Sequence, residues 1–437
     1  MSQTSTVALS QMDAIGRRTI RRVKWRLLPF ICVLYFINMI DRSTVSYAAL
    51  TMNKELGISM VAFGMLTSIF ALPYFLCEVP SNMLLNRYGA RRWIARIMIT
   101  WGIVTSLAMW AQNYWHIAAV RFLLGMMEAG FLPGIMFYLT VWLPQRERAW
   151  AIAMFSLALP LNTLVGSPVS GLVLDHVHWF GYSGWRWLFV FDGVPAVILG
   201  IFALFYLTDR PSEAGWLSEE EKNWLTEEIK KEDAKKREAR RVKITEIFSS
   251  LRTWKIGIVY LFMSLAGAGM GYFLPMVIKE FSKVSNTSVG LLMMIPAIVG
   301  GVFMVTWSWH SDRTMERKYH AVIAMGLGII GLLMASMVPS PVIKMMGITL
   351  GMMALFGVVG PFWAIPSLYL AGTSAAVGMA IISSCNALGQ FLGGFCNGYL
   401  MKVGGNAVLA FSGACYVISM IVLLTLHIRR GATAAEE

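Results

Sequence analysis

Twelve apolar runs, each long enough to cross a bilayer and nearly free of charge, constrain this chain more than any other feature. They lie at 27–50, 60–85, 93–111, 115–143, 149–174, 186–207, 254–278, 288–309, 320–338, 343–371, 375–401 and 407–428. A helix crossing the hydrocarbon core needs about 20 residues. Lipid offers the backbone no hydrogen-bond partner, so runs of this kind cross it as helices. A soluble alternative fails on composition. Of 437 residues only 14% are charged and 57% are apolar, whereas about a quarter charged is usual for a water-soluble domain. The expectation is an all-α membrane protein with twelve transmembrane helices.

The runs divide six and six about a polar centre. The expected organisation is a cytoplasmic N-terminal tail at 1–26, a six-helix bundle at 27–207, a cytoplasmic linker at 208–253, a second six-helix bundle at 254–428 and a cytoplasmic tail at 429–437. Two halves that rock about a central site are a common plan for secondary transporters. A weak internal repeat supports pseudo-symmetry, because the turn NRYGARR (86–92) follows run 2 and SDRTMERK (311–318) follows run 8. Within the linker, WLSEEEKNWLTEEIKKEDAKKREARR has Ser218 as an N-cap, acids early and bases late. That pattern predicts an amphipathic helix at the membrane surface.

Charge fixes the orientation. With both termini cytoplasmic, 29 of the 37 Lys and Arg fall inside and six outside, namely Lys54, Arg186, Lys279, Lys283, Lys344 and Lys402, while Arg42 and Arg121 lie within runs. This asymmetry is the positive-inside bias. It also accounts for the net charge of +13, and no nucleic-acid-binding module is present to use that charge otherwise. The five cysteines sit singly in apolar runs and read as small buried hydrophobes. His176 and His178 lack a third ligand, so no metal site is expected. No phosphate loop or catalytic triad occurs, and an enzyme is not expected.

The informative residues are the ionisable ones inside the runs: Asp41, Arg42, Glu78, Arg121, Glu128 and Asp192. Each costs at least about 2.5 kcal/mol at mid-bilayer and needs a partner, water or a task. Helix rise puts Asp41 about 22 Å from the inner edge, Arg121 about 9 Å and Glu128 about 20 Å from the outer edge. Arg121 and Glu128 are two turns apart and face the same way, and Asn38 lies one turn below Asp41 and Arg42. Low dielectric disfavours a charged carboxyl, so two acids among two bases predict a proton-linked site. A purely structural Asp41–Arg121 ion pair is the alternative. Glu78 and Asp192 lie nearer helix ends, where gating or end-pairing is as good a reading as transport chemistry. The second half offers Asn386, Gln390 and Asn397 in a glycine-rich run 11, and GPFWAIP in run 10, where Pro361 and Pro366 interrupt the helix beside Trp363.

VPSNMLLNRYGARRW (79–93) resembles the cytoplasmic signature of the major facilitator superfamily, with Asn86 where that signature carries Asp. IDRSTVSYA (40–48), RFLLGMMEAGFLPG (121–134), WLPQRERA (142–149), GWRWLFVFDGVPA (184–196) and SDRTMER (311–317) resemble its anion:cation symporter branch. The resemblance implies Asp41 and Glu128 as proton-coupling carboxylates, Arg42 as the contact for a substrate carboxylate, and Arg121 as partner of Asp41 or Glu128. It implies a substrate cavity lined by Tyr74, Trp363 and Asn386, to which the polar face of run 11 adds Gln390 as a substrate-binding candidate, with Arg87, Arg91, Asp312 and Arg313 in ion pairs or gates. Leu159 and Pro160 stand where some sugar-acid members carry Gln, which favours a less polar acid. The expected function is proton-coupled import of a small organic anion across the cell membrane, a bacterial inner membrane, by a monomer with protons as coupling ion and no other cofactor. An anion exchanger or a drug/proton antiporter is the alternative within the class, and a receptor or lipid-modifying enzyme would need domains or loops that the chain lacks.

Overall fold

The computed structural model describes residues 3–238, 250–367 and 373–426. Arg240, Arg241 and Lys243 of the linker and Arg429 and Arg430 of the C-terminal tail lie outside the described residues. Among those described there is no strand. Twelve helices are long and apolar enough to cross a membrane: spans 1 to 6 are Ala14–Glu55, Met60–Tyr88, Ala90–Trp110, Tyr114–Trp142, Trp150–His176 and Gly184–Tyr206, and spans 7 to 12 are Leu251–Ser282, Asn286–Thr314, Lys318–Met337, Pro341–Pro366, Gly378–Leu400 and Gly405–Leu424.

The N-terminal stretch differs from expectation. One helix runs from Gln3 to Glu55, through Pro29, so residues up to 26 extend span 1 rather than forming a separate tail. Ile20, Val23, Leu27 and Leu28 are buried, at a three- and four-residue spacing that makes one apolar face. Arg18 Nε donates to Glu221 Oε1 at 3.0 Å and Arg22 Nη1 to Glu221 Oε2 at 2.9 Å. These bonds tie the extension to the linker helix, Glu219–Glu238. That helix starts with a capping box: the Glu221 amide donates to Ser218 Oγ at 3.3 Å and the Ser218 amide to Glu221 Oε2 at 3.0 Å. One turn on, Trp224 packs so closely on Gly16 that a Cβ there would lie 2.5 Å from its ring.

The sequence predicts an interrupted helix only in span 10, which does break, between Pro341–Gly357 and Val359–Ser367. Three others are interrupted as well. Span 4 consists of Tyr114–Glu128 and Phe131–Trp142, joined at Gly130 with φ +86°. A Cβ at Gly130 would sit 2.4 Å from Ser81 Oγ, so close approach and left-handed backbone both require glycine. Spans 5 and 7 carry π-helical turns, Asn162–Gly166 and Gly269–Phe273, a device that re-aims side chains within a helix.

Among the described residues, the halves pack together most closely on one side. Call the side carrying the linker the basic side. One buried apolar cluster joins the second half to Val45, Met52, Phe63, Leu66 and Val173, which belong to the part of the first half remote from the linker. The basic side of the first half has its own cluster, in which Leu27, Ile94, Tyr138 and Leu143 pack with Leu217 and Leu225 of the linker. Hydrogen bonds repeat the pattern. Asp175 at the end of span 5 accepts from Asn286 Nδ2 at 2.7 Å and from the amide and hydroxyl of Thr287 at 2.7 and 2.8 Å at the start of span 8. Between spans 2 and 11, Ser68 Oγ donates to the Phe391 carbonyl at 2.6 Å. A Cβ on Gly64 would lie 2.6 Å from the Gly394 carbonyl and 2.7 Å from Gly398 Cα. The molecule is therefore sealed on the side opposite the linker.

Candidate functional site

Span 1 supplies most of the site because polar residues recur along one length of it: Asn38, Asp41, Arg42, Ser43 and Thr44. Their partners come from four other spans. Arg42 Nε donates to Glu128 Oε2 at 3.1 Å, and Asn38 Nδ2 donates to the same oxygen at 2.9 Å. Thr105 Oγ1 of span 3 donates to Asp41 Oδ1 at 2.6 Å. Thr44 Oγ1 donates to Asp192 Oδ2 of span 6 at 2.8 Å, and Ser43 Oγ to Asn162 Oδ1 of the π-turn at 3.3 Å. Glu128 is held here because its helical segment ends at that residue, the chain turning at Gly130 before span 4 resumes.

Burial within this cluster is uneven. Asp41, Arg121, Glu128 and Asp192 are all buried, at 3% exposure or less, whereas the Arg42 side chain is 24% exposed. Its guanidinium lies over the rings of Tyr74 at 4.8 Å and Phe70 at 5.5 Å, which holds its charge against aromatic faces. The second half closes in beside it: Ser46 Oγ donates to the Gly271 carbonyl of the π-turn in span 7 at 3.4 Å.

Asp41 Oδ2, Glu128 Oε1 and Asp192 Oδ1 are buried without a hydrogen-bond partner. The cluster thus brings together three acids and two bases, and its only ion pair among the described residues is Arg42–Glu128.

Two sequence expectations need correction. Arg121 forms no ion pair with Asp41 or Glu128. Its Nε donates to the Leu66 carbonyl at 3.4 Å, its Cζ lies 4.5 Å from the Phe70 ring centroid, and its Nη2 is unpartnered. Facing Glu128 along span 4 was legible, but the rotation of span 4 against spans 1 and 2 was not. Asp192, read as lying near a helix end, belongs to the cluster. It is eight residues into span 6, about 12 Å along the helix, and that depth was the available signal.

The remaining candidates are dispersed. In the second half Asn386 Oδ1 accepts from Ser264 Oγ at 2.5 Å and from Gln390 Nε2 at 3.2 Å, and Trp363 packs edge-on against Tyr260 with centroids 5.2 Å apart. No hydrogen bond among the described residues links these to Arg42. Glu78 is half-buried. At the basic side Arg87 lies over Tyr88, and Arg91 Nε is 3.9 Å from Asp209, whose Oδ1 accepts the Arg91 amide at 2.8 Å. Asp209, from the end of span 6, thereby caps span 3 beside the turn where Asn86 replaces an acid. Asp312 pairs with Arg317, and Arg313 lies over Trp309.

The sequence profile of the Major Facilitator Superfamily matches residues 31–394. The chain belongs to the major facilitator superfamily. It is therefore a membrane transporter and not an enzyme. It is 42% identical over 411 residues to a protein of Agrobacterium vitis named "Putative tartrate transporter", with 94% of each chain covered. It is 34% identical over 407 residues to a quinolone resistance transporter of Acinetobacter baumannii, with 93% of each covered. In fold it superposes on a D-xylose–proton symporter with a TM-score of 0.74 at 14% sequence identity, covering 94% of this chain and 99% of the other. The superfamily fold agrees with the twelve spans, six on either side of the linker.

Proposed function

We propose that this transporter is a symporter that imports a small organic carboxylate together with protons by alternating access. The observation that carries the reading is the Arg42–Glu128 ion pair: a wholly buried acid, in a cluster that also buries Asp41, meets an accessible base. A substrate carboxylate reaching Arg42 would form charge-assisted hydrogen bonds and compete with Glu128. Glu128 released from Arg42 would be a buried charge without a counterion, which costs about 3–5 kcal/mol, so it takes up a proton instead. Anion binding and proton binding then promote each other. Tyr74, Trp363, Asn386 and Gln390 would line the remainder of the cavity, and Asp192 would hold Thr44 beside Asp41.

In this reading the basic side is cytoplasmic, in keeping with the placement of Lys and Arg, and the membrane is the bacterial inner membrane. The arrangement sealed at Asp175–Asn286 and Gly64–Gly394 then corresponds to the release side of the cycle. Arg91–Asp209, with Arg87, Asp312 and Arg313, would take part in closing the cytoplasmic side. Protons are the coupling ion, with no organic cofactor or metal, and the unit is a monomer. The relative named for tartrate supports a hydroxylated dicarboxylate as the first substrate to try.

The test uses purified protein in proteoliposomes. Labelled tartrate should accumulate when the outside is made acid and should leak out on addition of a protonophore. Uptake unaffected by the gradient contradicts symport. The quinolone-transporter relative favours a second reading, a drug/proton antiporter. Under that reading an acid interior would drive accumulation of a fluoroquinolone, and tartrate would not move.

A further inference from the structure

Away from the transport cluster, the first half carries an open-sided cavity of about 990 Å³ on its basic side, between the extension of span 1, the start of span 5 and the linker helix. Its wall changes character along span 1. Arg17, Arg21 and Lys24 come first, then Trp25, Leu28, Pro29 and Cys32, with Trp150, Met154 and Trp224 facing them. From Arg17 to Cys32 is about 22 Å of helix, with the cations confined to the first 10 Å or so.

The arginines of this stretch have divided tasks. Arg18 and Arg22 are taken up by Glu221. Arg17 and Arg21, one turn apart on the neighbouring face, are exposed and pair with no acid among the described residues. Lys24 Nζ is 2.5 Å from Glu147 Oε2 and 4.4 Å from the Trp150 ring centroid, bracing span 1 against span 5 across the cavity. Trp25 is 74% exposed. A pocket with two exposed guanidiniums at the mouth, indole rings in its wall and an apolar floor matches an anionic amphiphile. A small hydrophilic anion would leave the apolar floor unused, and a neutral lipid would leave both guanidiniums unanswered.

We propose that this cavity is a binding site for an anionic phospholipid of the basic-side leaflet, with the phosphate held by Arg17 and Arg21 and an acyl chain lying along Leu28, Cys32 and Met154. Occupancy would fasten the extended helix to span 5 and the linker. The site is separate from the Arg42–Glu128 cluster and does not depend on the substrate assigned there.

Native mass spectrometry of the full chain, titrated with phosphatidylglycerol and phosphatidylethanolamine of equal acyl length, tests it. The wild type should retain phosphatidylglycerol roughly tenfold or more in preference, and phosphatidylglycerol alone should raise the Tm. The Arg17→Gln/Arg21→Gln double variant should lose the preference, while Arg92→Gln/Arg210→Gln, which removes two exposed charges elsewhere, should keep it. Folding of each variant is checked by monodisperse elution and an unchanged Tm without lipid. If the first double variant does not fold, Met154→Trp, which fills the apolar floor, replaces it with the same expectation. Equal retention of the two lipids by wild type overturns the proposal. So does stabilisation by inorganic phosphate equal to that by phosphatidylglycerol, or loss of preference in both double variants alike.

Discussion

Arg42 and Glu128 form an ion pair at 3.1 Å in which the acid is wholly buried and the base is one-quarter exposed. This asymmetry gives the pair a direction. An anion that reaches the pair meets the guanidinium first, and the carboxylate behind it keeps the hydrogen bond from Asn38. Exchange of one carboxylate for another at Arg42 is therefore coupled to proton uptake by the displaced Glu128 in the proposed cycle.

Arg42→Lys keeps the charge and loses the planar fork. Substrate affinity should fall by about tenfold to a hundredfold, since charge-assisted hydrogen bonds contribute roughly 1.5–3 kcal/mol each. Equilibrium binding to the purified variant measures this, and wild-type affinity would remove Arg42 from the contact assigned to it.

Asp175 makes three hydrogen bonds across the seam between spans 5 and 8. Asp175→Ala should destabilise closure of that side by about 2–4 kcal/mol, a population shift of tenfold or more toward the opposite-open form. Spin labels at the exposed Lys54 and Lys402 sites, one in each half, should move apart in pulsed dipolar measurements. An unchanged distance distribution would mean that the seam is held by other contacts.

Closure between spans 2 and 11 depends on the absence of side chains. Gly64→Val would drive a branched group into the Gly394 carbonyl and Gly398 backbone, where neither neighbour can yield by rotamer change. Transport should fall to background while the protein remains folded and reaches the membrane, because the clash exists only in the sealed form. Retention of more than about half of the wild-type rate would show that the halves separate here during the cycle less than proposed.

The reach of the sequence can be judged on particular residues. The twelve spans were legible because lipid leaves apolar runs no other fold, and Asp41, Arg42, Arg121 and Glu128 stood out because charge in hydrocarbon is costly. What failed were properties set by helix rotation and distant pairing. Asp192 accepts a hydrogen bond from Thr44, 148 positions away, and nothing in either local sequence indicates that spans 1 and 6 turn those faces together. The same holds for Arg121, whose depth was readable and whose neighbour, the Phe70 ring, was not. The extension of span 1 was hidden because Arg17 to Arg26 read as a solvated tail until Glu221 appeared between Arg18 and Arg22.

Glu221 supplies a pH test outside the membrane. Burial favours its neutral form, but the Ser218 amide and the Arg22 and Arg18 guanidiniums outweigh that and hold its carboxyl below the usual glutamate range. The sign follows from linkage: a carboxyl with lowered folded-state pKa contributes stability that is fully present above its ordinary value and lost as pH falls through the lowered one. Protease resistance of the segment ahead of residue 26 should therefore hold at neutral pH and decline only in strong acid. Glu221→Gln should be sensitive already at neutral pH. Equal resistance of wild type and variant at pH 7 would contradict the clamp.

The most direct test of coupling at Glu128 records protons rather than substrate. In proteoliposomes loaded with a pH dye and given no imposed gradient, added tartrate should acidify the interior through the wild-type protein. Glu128→Gln should abolish that acidification while still exchanging labelled for unlabelled tartrate. Tartrate accumulation without acidification in the wild type, or undiminished acidification in Glu128→Gln, would contradict the account.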